Sequence, residues 1–206
     1  MNKIILAIIC AAGLVTAHAQ EATQPVKEMP ANVPGFTQET VLSWYDIDPG
    51  VRKYFILLTA NSMAATAELP DGGVNPTPEQ EFDMMQKVMD ETPTDSLKGE
   101  YLAYVQESNA INRRIVADLK AERPTDIQGV MAVTSRYDGE LSALCAKYPE
   151  AGKYFAKEAA IGMSIMLMRE TEIQRVAMQA AMAGKSPKEC MQTVVEHLRR
   201  VAEDQQ

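Results

Sequence analysis

The sequence predicts an all-α protein, a bundle of about six helices. Three observations carry that expectation. Apolar residues recur at steps of three and four over long stretches, while no stretch shows the strict alternation of a half-buried strand. Helix starts are spelled out by Ser/Thr-x-x-Glu/Gln boxes at Thr77–Gln80, Thr125–Gln128 and Ser186–Glu189. And 46% hydrophobic with 23% charged residues over 206 positions is globular composition, with enough apolar material for one sizeable core.

Residues 1–19 read as a cleaved secretory signal peptide. Lys3 supplies the positive start, Ile4 to Val15 the short apolar run, and Ala17-His18-Ala19 the small-x-small site ahead of Gln20. The run is too short to span a bilayer. Cys10 does not make it a lipoprotein signal, because Ile8 and Ile9 stand where small residues are required. Residues 20–36 carry Pro25, Pro30 and Pro34 without periodicity and read as a Pro-rich disordered leader. Residues 37–206 are then a single helical-bundle domain.

Within that domain the first helix is expected from Pro49 to Glu68, stopped by Leu69-Pro70-Asp71-Gly72-Gly73. The second starts at the Thr77 box, with Pro78 at its first position, and ends near Glu91 before Thr92-Pro93. The third is expected from about Asp95 to Ala121, on a seam of Leu97, Tyr101, Tyr104, Ser108, Ile111, Ile115 and Leu119. The fourth follows at the Thr125 box and runs to Lys147, with Ile127, Val130, Thr134, Tyr137, Leu141, Leu144 and Tyr148 as its seam. Only four residues separate the third and fourth, which predicts an antiparallel hairpin with arms of about 40 and 33 Å. The fifth is expected from Pro149 to Ala183, with Gly184 as its stop, and the sixth opens at the Ser186 box on a seam of Met191, Val194, Leu198 and Val201.

Two stretches are apolar nearly all round, residues 54–67 and Ala159–Met168, which puts the first and fifth helices at the centre of the bundle. Their openings also match. Pro49-Gly50-Val51-Arg52-Lys53-Tyr54-Phe55 and Pro149-Glu150-Ala151-Gly152-Lys153-Tyr154-Phe155 agree at four of seven positions. Reuse of one helix start accounts for this as readily as duplication of a three-helix half. A second internal echo, Pro-Thr-x-x-Gln at Pro76–Gln80 and Pro124–Gln128, is similar to the L-T-x-x-Q motif of small periplasmic helical chaperones, with proline in place of the leucine. A capping box explains Thr and Gln at this spacing, and ten residues do not place the chain in that family.

The inventory of reactive residues is short. There are two histidines and three cysteines, and His18 and Cys10 fall inside the signal. A cage of Cys and His for zinc is nearly excluded on numbers. Met163, Met166 and Met168 form M-x-x-M-x-M, but Met168 lies roughly 140° round the helix from Met163, so a packed core accounts for them better than copper ligation. Asp46-Ile47-Asp48 faintly resembles an acidic calcium loop, although Asp48 before Pro49 reads more simply as a cap. Cys145 and Cys190 are expected as unpaired thiols, because a straight fifth helix holds them roughly 45–50 Å apart and a disulfide needs Cα atoms within about 7 Å. Glu158 lies beside the apolar stretch of the fifth helix without a partner carboxylate. His197, between Glu196 and Arg199, is expected on an exposed face. Trp44 and Tyr45 read as a lid over the core. No Gly-rich phosphate loop, G-x-S-x-G elbow, H-E-x-x-H or C-x-x-C occurs, so no catalytic, cofactor-binding or metal-ligating set is assigned.

Charge narrows the function further. The net charge is −8, and loss of Lys3 with the signal takes it to −9. An acidic chain does not coat a phosphate backbone, so nucleic acid is not an expected partner. The stretch Glu79–Glu100 holds seven acids against Lys87 and Lys98; a solvated face is the plain account and a dock for a basic partner the sharper one. The expected function is that of an exported, periplasmic or secreted, non-enzymatic binding or protein-interaction protein of a bacterial envelope, with no cofactor. A holdase-like chaperone and an enzyme built on a carboxylate pocket are the alternatives.

Overall fold

A computed structural model describes residues 47–69, 76–155 and 170–205. These residues form α1 (Pro49–Glu68), α2 (Pro78–Glu91), α3 (Gly99–Glu122), α4 (Ile127–Thr134), a 3-10 turn (Ser135–Tyr137), α5 (Asp138–Lys147), α6 (Pro149–Phe155), α7 (Glu170–Met182) and α8 (Pro187–Glu203). Among them there is no strand, and the fold is all-α as the periodicity predicts.

α1 is the centre. Val51, Phe55, Ile56, Ala60 and Met63 are all 1% exposed or less, and with the buried Tyr54, Asn61 and Ala65 they cover all of the helix but the edge of Lys53, Leu57, Ala64 and Glu68. Its hydroxyls turn inward on the helix itself. Thr59 Oγ1 donates to Phe55 O (2.9 Å), Ser62 Oγ to Leu58 O (2.8 Å) and Thr66 Oγ1 to Ser62 O (2.9 Å), so burying them leaves no polar atom stranded. The helix starts where the sequence says, with the Asp48 carboxylate accepting from Gly50 N (2.8 Å) and Val51 N (3.2 Å). That carboxylate is therefore spent on capping.

α2 and α8 pack on α1. Asn61 is the polar tie among the three. Its amide nitrogen donates to Glu91 O and Thr92 Oγ1, and its oxygen accepts from Arg199 of α8 (3.0 Å). Both α2 and α8 open on complete capping boxes, Thr77 with Gln80 and Ser186 with Glu189. The seam of α8 lands as read, with Val194, Leu198 and Val201 buried and Met191 half-buried.

The hairpin of the third and fourth predicted helices is present as α3 against α4 and α5. Its partners step back along α3 as they step forward along the second arm. Glu122 pairs with Arg136, Asp118 with Tyr137 (2.7 Å), Arg114 with Glu140, and Glu107 with Lys147 (2.7 Å) and Tyr148 (2.7 Å). That order is antiparallel.

Three details differ from the sequence reading. First, α3 starts at Gly99 and not near Asp95: Gly99 sits at φ +55°, a left-handed conformation that ends any earlier helical run. Second, the cap of α4 is Asp126, whose carboxylate accepts from Gly129 N (2.8 Å), and not Thr125 with Gln128. A carboxylate one residue later caps the same turn equally well. Third, the second arm is not one straight helix. Thr134 Oγ1 donates to Met131 O and Ser135 Oγ to Ala132 O, and these hydroxyls compete for carbonyls where the backbone tightens to a 3-10 turn.

The fifth predicted helix is seen at its two ends, α6 and α7. Its apolar stretch Ala159–Met168, with Glu158, Met163, Met166 and Met168, lies outside the described residues, as do Trp44 and Tyr45. The stop at Gly184 is as predicted: φ is +80°, and Lys185 N reaches back to Ala180 O (3.2 Å). The matched openings of α1 and α6 both meet the start of α3. Ser96 Oγ donates to Gly50 O (2.9 Å), and the Glu100 carboxylate accepts from Glu150 N (2.9 Å) and Ala151 N (3.3 Å).

Two substitutions test this frame. A Cβ on Gly50 would lie 2.1 Å from the backbone oxygen of Ser96, so G50A is expected to lose about 2 kcal/mol of stability in a denaturant titration, despite alanine's better helix propensity. Arg123 closes α3 at φ +47°, where a side chain costs about 1–2 kcal/mol. R123G is therefore expected to gain about 0.5–1 kcal/mol in the same titration, after the unfolded-state entropy of glycine is deducted.

Candidate functional site

Four places gather side chains able to bind or react. The first is a cleft between α1, α2 and α3, lined by Tyr54, Leu58, Met85, Met89, Tyr104 and Asn109 among others. Its volume is about 50 Å³. That is room for a few water molecules, against roughly 300–1,000 Å³ for a site that encloses a metabolite.

The second is the acidic stretch Glu79–Glu100. Folding spends much of its charge on the neighbouring helices. Asp83 pairs with Lys120 (2.6 Å) and Asp90 with Arg113 (2.9 Å), while Lys87 pairs with Glu68 and lies 3.9 Å from Glu91. Glu100 caps α6. The face is thus a lattice of cross-helix pairs.

The third is the pair of thiols. Both are free, as expected. Cys145 is half-buried, its Sγ 3.5 Å from the Tyr104 hydroxyl, and Cys190 Sγ lies 3.6 Å from Lys185 O. His197 is not on an exposed face. Its side chain is 17% exposed, and Nε2 lies 2.8 Å from Glu172 Oε1 of α7 in a geometry too bent for a good hydrogen bond. The position faces α7, which neighbouring Glu196 and Arg199 conceal in the sequence.

The fourth is the corner where α7 turns into α8. α7 lays Ile173, Val176, Ala177 and Ala180 towards the core, the first and last of them buried. At 100° per residue, Arg175, Met178 and Met182 fall on the opposite pole. Met178 is 63% exposed and Met182 83%. Every residue from Ala181 to Glu189 is also exposed. Sequence reading passed over this corner. The available signal was phase: two methionines at i and i+4, on the side of the helix away from its own core stripe.

Among the described residues no group of three or more His, Cys, Asp or Glu side chains is placed to hold a metal ion. No helix there is long and apolar enough to cross a membrane. Compared with known protein families, curated proteins and solved structures, the chain matches none of them.

The cross-helix pairs make a pH prediction. Hydrogen bonds from Lys147 and Tyr148 hold Glu107 below the usual carboxylate range; Gln86 and Arg113 do the same for Asp90, and Arg136 for Glu122. A carboxyl whose pKa is lower folded than unfolded stabilises the fold above its unfolded value, about 3.9 for aspartate and about 4.3 for glutamate, and loses that contribution as pH falls through the folded one. Melting temperature is therefore expected to be insensitive to these groups above about pH 5 and to decline below it. The decline should be shallow and smaller in high salt, since all three pairs are exposed. Thermal melts at pH 3–7 in low and high salt check this.

Proposed function

We propose that this is an exported, non-enzymatic helical protein of the bacterial envelope that works by docking a protein partner. The observation that carries the reading is the character of the exterior. Charged side chains on the α2, α3 and α5 faces are tied to one another across helices, and the exposed large apolar side chains among the described residues are three methionines, Met131, Met178 and Met182. Methionine is flexible and polarisable, which suits adaptable contact with another protein surface. So few exposed apolar side chains suit a small docking footprint better than a cradle for unfolded chains. The signal-like residues 1–19 support export, and the absence of a recognisable catalytic motif in the sequence agrees with a binding role.

The test is affinity capture. The full chain, tagged at its C-terminus and expressed with its own N-terminus, is recovered from envelope extract and its companions are identified by mass spectrometry. One stoichiometric companion is the expected result, with the bait itself weighing less by residues 1–19. A spread of unrelated, partly unfolded clients would replace this reading with the chaperone. An empty capture would remove both.

A further inference from the structure

The corner between α7 and α8 carries charge of the wrong sign for this chain. From Ile173 to Lys188 there is no acidic residue, in a protein with 28 acids among 206 positions. The same run holds three cations, Arg175, Lys185 and Lys188, all of them exposed. The acids that flank it are occupied. Glu172 lies against His197, and Glu189 accepts from Ser186 N (2.8 Å) and Ser186 Oγ (2.7 Å) in the cap of α8, which also holds its carboxyl below the usual range. Between Arg175 and Lys185 along the chain stand the exposed Met178 and Met182, on the pole of α7 that its core stripe does not use.

We infer that this corner, Arg175, Met178, Met182, Lys185 and Lys188, is the docking surface for an acidic segment of the protein partner, with an apolar residue of that segment seated on the two methionines. This rests on the interaction reading given above. The sign follows from charge complementarity: the body of the chain is acidic and repels acidic surfaces, whereas the run 173–188 offers three exposed cations and no acid, which favours the approach of a segment rich in Asp and Glu. The methionines supply contact area that adapts to the partner's side chain. Three cations and two methionines are fewer than stable attachment to a lipid surface takes, since each basic residue adds only about 1 kcal/mol there. A protein segment that matches the rim charge by charge makes better use of so small a patch.

The experiment places a photo-cross-linking phenylalanine analogue at Met178, or at Met182, in the full chain and irradiates it in envelope extract. The expected adduct is a protein segment of net negative charge, mapped by sequencing the cross-linked peptide. K185E/K188E in the same chain is expected to cut adduct yield at least about tenfold, the cost of losing a decisive contact. Both lysines are exposed, Lys185 donating to Thr193 Oγ1 of α8 (2.9 Å), and circular dichroism of the variant checks that the helices are kept. M178S/M182S, monitored by companion recovery in the affinity capture, should fall by a similar factor. Adducts to lipid, to a second copy of this chain or to a neutral or basic segment would overturn the assignment, as would a yield indifferent to the charge reversal. Absent adducts beside a successful affinity capture would move the docking surface elsewhere and leave the interaction reading standing. Absent adducts beside an empty capture would remove both.

Discussion

A helix with no polar face imposes the rest of this architecture. α1 presents buried side chains round most of its circumference, all but the edge of Lys53, Leu57, Ala64 and Glu68, and a single neighbouring helix covers only part of that. α2 and α8 pack directly on it, and the turn ahead of α3 meets its first turn through Ser96 on Gly50. The hydroxyls that would otherwise forbid such burial are neutralised within α1 by bonds to carbonyls one turn back. Asn61 is different in kind. Its amide has no partner on its own helix and finds them instead on the end of α2 and on Arg199, which fixes where those two helices stand along α1. Apolar burial is non-directional; this buried amide gives it a register.

The outer arm is organised by a second kind of force. α3, α4 and α5 share one apolar seam, and their exposed flanks are joined by pairs from Glu107 with Lys147 to Glu122 with Arg136. Each exposed pair contributes little stability. Their order along the two strands of the hairpin matters more, because a shift of either arm by one turn brings like charges or unpaired groups together. The same logic explains part of the acidic stretch of α2. Lys120 and Arg113 of α3 reach Asp83 and Asp90 across the α2–α3 contact, so two of the seven acids in Glu79–Glu100 are matched by cations of the neighbouring helix.

Much of the fold was legible because its signals are local. Thr77 with Gln80, Ser186 with Glu189, the prolines at first helical positions and Gly184 each act within one turn, and each falls where its chemistry requires. The buried seams of α3 and α8 follow from spacing alone. What was not legible depends on contacts between distant residues or on competition within a turn. Nothing near Ser135 in the chain says whether its hydroxyl will bond Ala132 O or water, and that choice accompanies the break between α4 and α5. Thr125 and Asp126 are both able caps, and only the final path of the chain selects Asp126. His197 sits among polar neighbours in sequence, yet the packing of α7 on α8 brings it to Glu172 across 25 positions. The fifth helix was read by its apolar run, which drew the eye to Ala159–Met168 and away from the exposed methionines further on.

Where a docking surface sits relative to the core decides how freely it can specialise. A residue on α1 touches neighbours on every side, so any change made for a partner is felt as a packing defect. α7 is at the other extreme. It packs chiefly on α8 among the described helices, secured by the buried Ile173 and Ala180. Its far pole meets no buried core among the described residues, and apolar side chains there cost solubility. Polar residues would serve that pole as well for folding, and Gln174 and Gln179 on the same helix show that the sequence uses them. Two methionines kept in water, in a run from which acids are missing, are thus better explained by what approaches the corner than by anything beneath it.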